Sequence, residues 1–162
     1  MHPNPIFRRT EAARSIAFAR ARGFGTLAVP APGPAPAAPL VAHVPVLVAE
    51  DGSHVLLHLV RSNPVARALA SGGPLPARLD VSGPDGYVSP DWYGAEDQVP
   101  TWNYVAVALT GQLQALPAEE LRGVLDAQSA AYESRLAPKP AWTLDKMSHD
   151  ALGRLMRMIV PI

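Results

Sequence analysis

The sequence has 162 residues, enough for one compact domain and short for two. Hydrophobic residues make up 48% and charged residues 17%, below the roughly 25% charged of ordinary globular chains, which excludes a disordered polyelectrolyte. Fourteen Lys and Arg balance fourteen Asp and Glu, which argues against a large basic face for nucleic acid, and the absence of Cys excludes disulfides and thiolate chemistry.

The opening Met1-His2-Pro3-Asn4-Pro5-Ile6-Phe7-Arg8-Arg9 lacks the apolar run of a signal peptide. The longest uncharged stretch, Gly23 to Ala49, carries six prolines between Pro30 and Pro45 and cannot be a spanning helix, so a soluble cytoplasmic protein is expected, with no membrane partner. Thr10 is placed to cap a helix over residues 10–22 that ends at Gly23. Phe24 to Val29 reads as a buried strand, and Pro30 to Pro36 as a linker-like loop. Leu40 to Ala49 and Ser53 to Val60 form the clearest predicted hairpin, joined through Glu50-Asp51-Gly52, with Pro45 marking an edge or a bulge. Asn63 as cap and Pro64 at the first helical position open a helix near 64–70 that stops at Gly72-Gly73.

Leu75 to Ser82 alternates as a further strand before a predicted turn at Gly83-Pro84-Asp85-Gly86. Thr101 to Leu116 is the longest strand candidate, with both faces expected to be largely buried. Helices are expected over about 117–135, where Leu121, Val124, Leu125, Gln128 and Tyr132 fall at helical spacing, and over about 148–158. Five or six strands with peripheral helices predict a mainly β, antiparallel α+β architecture, a barrel plus helices in one domain.

Three groups of residues can carry chemistry. His58-Leu59-Val60-Arg61-Ser62-Asn63-Pro64 ends a strand in a guanidinium, a hydroxyl and a carboxamide just before a helix N-terminus, which is how an anion site is built. The same residues also fit a plainer reading, with Asn63 capping the helix and Arg61 in solvent. His43 and His58 fall on the two strands of the predicted hairpin, facing each other, a ligand or the core. Neither has the spacing of a metal site, so no metal is expected, and His2, His54 and His149 read as surface residues. Five of the ten aromatic residues, Tyr87, Trp92, Tyr93, Trp102 and Tyr104, crowd into one stretch. Beside Asn103 and Thr101 they fit a site for a planar heteroaromatic, a core or a dimer interface. No hydrolase triad order, phosphate loop or Rossmann glycine motif is present, and no catalytic residue can be assigned.

Taken together, Tyr87-Val-Ser-Pro-Asp-Trp-Tyr93 and Val99-Pro-Thr-Trp-Asn-Tyr-Val-Ala-Val107, preceded by His43-Val-Pro and His58-Leu-Val-Arg-Ser-Asn-Pro64, resemble the PaiB-type FMN-binding negative transcriptional regulators, and the similarity runs along essentially the whole chain. The resemblance implies the FMN-binding split β-barrel shared with pyridoxamine-phosphate oxidase-like proteins, and a homodimer with flavin at the subunit interface. It implies that Arg61, Ser62 and Asn63 hold the FMN phosphate and that the segment containing Val44 and Val46 runs along the isoalloxazine ring. His43 and His58 would stand near the ring or ribityl chain, and Trp102 and Asn103 on a facing strand, in the family's dimers that of the partner. Members of the family continue past the equivalent of Ile159-Val160-Pro161-Ile162 with another strand and a Trp-Lys-Leu-like segment. The sequence ends there, which implies an unpaired barrel edge or a lost flavin contact. Three functions follow: an FMN-binding regulator whose direct DNA binding the neutral charge disfavours, a flavin-dependent oxidoreductase, or a cofactor-free dimeric interaction module.

Overall fold

A computed structural model describes residues 4–34, 37–94 and 96–162; Met1-His2-Pro3 and the Ala35-Pro36 part of the Pro-rich loop lie outside it. The first helix, α1 (Ala12–Arg22), starts one residue later than Thr10 would place it. Its cap position is Glu11, whose side chain makes no capping bond. At its other end Gly23 adopts φ +62 and donates its N–H to Ala19 O, a left-handed turn that glycine enters without steric cost. Strand β1 (Phe24–Val29) follows directly, and Gly25, Leu27 and Val29 alternate inward.

The chain departs from the predicted long hairpin at β2 (Leu40–Pro45), which pairs antiparallel with β1 rather than with the segment after Gly52. Pro45 ends β2 at an edge of a four-stranded sheet, where its missing N–H breaks no ladder. The Glu50 turn closes only a short pair, β3 (Leu47–Val48) with β4 (Val55–Leu56). Strand β5 (His58–Val60) then leaves to pair with β8 (Ile159–Pro161) at the other end of the sequence. Three consecutive aliphatic segments thus take three different partners, because burial of the apolar face, not adjacency in sequence, selects the pairing.

Helix α2 (Pro64–Gly72) is capped as expected, with Asn63 Oδ1 accepting from Val65 N at 2.9 Å. Strands β6 (Leu75–Val88) and β7 (Thr101–Leu113) form one long antiparallel arm. The predicted turn at Gly83-Pro84 is instead a bulge within β6, where the register shifts between Ser82 and Asp85. Helix α1 covers this bulge. Arg22 Nε donates to Ser82 O at 3.1 Å, and a Cβ on Gly83 would stand 2.7 Å from Phe18. Beyond the bulge the arm runs past the core. The outer half of β7 is therefore exposed on both faces, contrary to the expected burial, and β6 is the longer strand. Helices α3 (Leu121–Glu133) and α4 (His149–Met156) complete the mixed α+β architecture.

The buried cluster is aliphatic, drawn from α1, β1, β2, β3, β5, α2, β6, β7 and the terminal Ile162. Among the described residues Gln128 is the one buried polar side chain, and no helix is long and apolar enough to cross a membrane.

Candidate functional site

The turn after β5 is shaped by its own backbone. Asn63 N donates to Val60 O at 2.9 Å, and Asn63 O accepts from Arg67 N at 3.0 Å as α2 begins. The Asn63 carboxamide oxygen caps α2, as the plainer reading has it, and the Arg61 and Ser62 side chains are exposed. Arg61 is tied to the far end of the chain. Its N–H donates to Met158 O at 2.8 Å and its Nε to Arg157 O at 2.9 Å. Among the described residues none of the ion pairs involves Arg61, and α2 has no acidic residue in its first turn, so the two Nη groups and the positive helix end remain uncompensated.

His43 and His58 do not lie on paired strands. His43 is exposed on edge strand β2, its Nδ1 3.1 Å from Thr26 Oγ1 across the ladder to β1. His58 sits on β5, and its Nδ1 is 2.8 Å from Oε1 of the buried Gln128. Val44 and Val46 turn their side chains into the core, so a ligand along this segment would meet their backbone and the outward side chains between them. Trp102 and Asn103 lie opposite Tyr87 and Gly86 on the exposed arm, with the Tyr87 and Trp102 rings edge to face at 6.2 Å. His43 shares a cross-strand row with Thr26, Asp80 and Ala108, three strands across the sheet. Trp102 is six residues farther along β7, so His43 and Trp102 are roughly 25 Å apart in one chain, from the usual strand spacing and rise. The nine residues therefore fall into separate groups within a single subunit.

Among the described residues, one concavity of about 470 Å³ is lined mainly by apolar groups, including Ala28, Pro30, Pro39, Pro76 and Ala77. Another, of about 320 Å³, lies against α4 and is lined by His149, Asp150, Gly153, Arg154 and Arg157. Neither is lined by Arg61, Ser62 or Asn63, whose turn is open to solvent in one chain. Among the described residues no cluster of His, Asp and Glu could hold a metal ion.

Two residues of α3 organise the segment between β1 and β5. Gln128 Nε2 donates to Leu56 O at 3.3 Å and Pro45 O at 3.5 Å. The Tyr132 hydroxyl is 2.8 Å from both Gly23 O and Val46 O. Burial raises the Tyr132 pKa above its ordinary value, so the hydroxyl stays a donor at neutral pH. The signal in the sequence was a polar side chain and a phenol at i and i+4 within an otherwise apolar helical stripe.

A forked cation with free Nη groups, a neighbouring hydroxyl and a helix N-terminus form a donor set suited to a phosphate monoester, the group with which FMN ends. The family model described as "Putative FMN-binding domain" matches residues 1–162, the entire chain. The chain belongs to this family. The membership read from the Tyr87 and Val99 motifs is borne out, and FMN is the cofactor that this FMN-binding family supports. A relative from Bacillus subtilis (strain 168), "Protease synthase and sporulation protein PAI 2", is 29% identical over 162 residues, covering 99% of this chain and 74% of its own length. Among solved structures, one titled "Structure of the FAD and Heme binding protein from Mycobacterium smegmatis" superposes with a TM-score of 0.60 at 19% identity, over 94% of this chain. This FMN-binding domain spans 64% of that structure's length, and the likeness is one of fold.

Proposed function

We propose that this protein binds FMN with its phosphate at Arg61, Ser62 and Asn63, and that two copies in the split-barrel arrangement enclose the isoalloxazine ring. In this reading it serves in the regulatory role that the resemblance to the PaiB-type regulators implies. The observation that carries the reading is the Arg61 guanidinium, fixed through Nε, free of ion pairs and standing at the N-terminus of α2. When bound, FMN supplies one- and two-electron redox chemistry on a planar ring. The chain's part is to grip the phosphate and to shield the ring.

The dimer is supported by two features of the single chain. The turn that suits the phosphate is open on one side. The arm beyond the bulge and the connection at its tip expose Tyr87, Trp92, Tyr93, Val99, Trp102 and Tyr104, a concentration of large apolar side chains suited to a partner surface. A second copy would cover the arm and bring Trp102 and Asn103 toward the phosphate turn of its neighbour. The regulatory effect runs through the flavin and the dimer rather than through direct DNA contact, since the zero net charge supplies no electrostatic footprint for a duplex.

The test is purification followed by gel filtration with light scattering and an absorption spectrum. A dimer carrying flavin absorption, or regaining it when FMN is added, is the expected result. A colourless protein that FMN does not reconstitute would replace this reading with a cofactor-free module.

A further inference from the structure

The hydrogen bonds around Gln128 determine more than the packing of α3. Its Nε2 points at two backbone carbonyls, Leu56 O and Pro45 O, and the reverse orientation would set oxygen against oxygen. The amide oxygen is therefore the atom that faces His58, and it can only accept. It follows that His58 Nδ1 carries the proton and donates it at 2.8 Å. In the neutral imidazole the other ring nitrogen, Nε2, is then an acceptor with a free lone pair. Among the described residues it has no partner, and no side-chain nitrogen or oxygen cut off from solvent lacks one, so Nε2 reaches solvent. His58 opens β5 and Arg61 follows the strand's last residue, Val60, so their Cα atoms are at most about 10 Å apart.

We infer that Gln128 is a positioning residue that locks His58 in the Nδ1–H tautomer, and that His58 Nε2 accepts a hydrogen bond from a ribityl hydroxyl of the flavin nucleotide whose phosphate Arg61 holds. The inference rests on the FMN reading given above for the ligand, but not for the tautomer. A polyol chain leaving the phosphate toward the ring presents hydroxyl donors, and a fixed acceptor beside it selects such a chain over an apolar one. A buried amide that fixes one imidazole nitrogen so that the other can serve a ligand is the arrangement found behind many functional histidines.

The experiment has two arms. In nitrogen-labelled protein without flavin, long-range proton–nitrogen correlation at alkaline pH should show His58 as the Nδ1–H tautomer. In Gln128→Leu the ring should redistribute between its tautomers, a change that loss of packing alone would not cause. In the second arm, FMN, riboflavin and lumiflavin are titrated into the wild type, His58→Asn and Arg61→Ala. Asparagine keeps a donor toward Gln128 and lacks the second ring nitrogen. His58→Asn should weaken FMN and riboflavin roughly two- to tenfold and leave lumiflavin, which has no ribityl chain, unchanged. Arg61→Ala should weaken FMN alone. An Nε2–H tautomer in the wild type, or unchanged FMN and riboflavin affinity in His58→Asn while Arg61→Ala loses FMN, overturns the inference and leaves the FMN reading standing. A wild type that binds no FMN while showing the Nδ1–H tautomer overturns the FMN reading, and with it the ligand assigned to Nε2.

Discussion

Replacing Tyr132 with Phe removes one oxygen and keeps the ring, so the effect isolates the hydroxyl. That hydroxyl lies 2.8 Å from Gly23 O and from Val46 O and has one proton to share between them. Gly23 O keeps a second donor, Val46 N at 2.9 Å, when the phenol is gone. Val46 O has no other donor among the described residues, and Val46 is only 1% exposed, so water does not readily take the vacated place. Leaving one buried acceptor unsatisfied costs about 1–3 kcal/mol, and a value of about 2 kcal/mol would lower Tm by about 4–8 °C in a chain of this size. Urea and thermal unfolding followed by circular dichroism measure both. The pH dependence gives a second check. Burial raises the folded-state pKa of Tyr132 above the ordinary 10.0, so its contribution is fully present below that value and is lost as pH rises through the raised one. Wild type should lose stability more steeply than Tyr132→Phe above about pH 10, and the gap between them should narrow. A variant that melts within about 1 °C of wild type, with the same alkaline slope, would refute the clamp.

Other outcomes follow from the same geometry. Arg61→Ala should reduce FMN affinity by about 1.5–3 kcal/mol, about ten- to a hundredfold by calorimetric titration, and unchanged affinity would remove Arg61 from the phosphate grip. Gly25→Ala places a Cβ 2.9 Å from Asp80 O and 2.8 Å from Leu79 Cδ1, so β1 must shift from β6; a loss of about 1–3 kcal/mol in urea unfolding is expected. Trp102→Asp should lower the dimer fraction seen by sedimentation without lowering Tm beyond the loss of dimerisation, because the ring is 57% exposed in one chain.

Local signals were legible in the sequence. Asn63 followed by Pro64 specifies the start of α2 through a cap oxygen and a preset φ, and both act within three residues. The apolar run Phe24 to Val29 likewise identified a strand, though the structure buries only alternate residues of it. Pairing was not legible, because Leu40 to Ala49 and Ser53 to Val60 have the same aliphatic character, and nothing in either names β1 or the remote Ile159 segment as its partner. The Gly83-Pro84 pair illustrates the same limit: its residues fit a turn, but continued pairing with β7 and cover from Phe18 make it a bulge. At the candidate site the Arg61 turn was legible as a chemical pattern, since cation, hydroxyl and helix start are adjacent in sequence. The holds on it from Arg157 and Met158, and the lock from Gln128 on His58, come from 70 to 97 residues away and have no trace in local sequence.

The pairing of β5 with β8 makes the mouth of the candidate phosphate site and the last residues of the sequence a single unit of breathing. Leu57 and Ile162 exchange N–H and C=O bonds at 2.9 Å, and Arg61 hangs from Met158 one step beyond the same ladder. Any fluctuation that peels Arg157–Ile162 away releases the guanidinium at the same moment. Native-state hydrogen exchange should therefore find the amides of Leu57, Arg61 and Ile162 opening together, with one common free energy, and a ligand bound at Arg61 should slow all three.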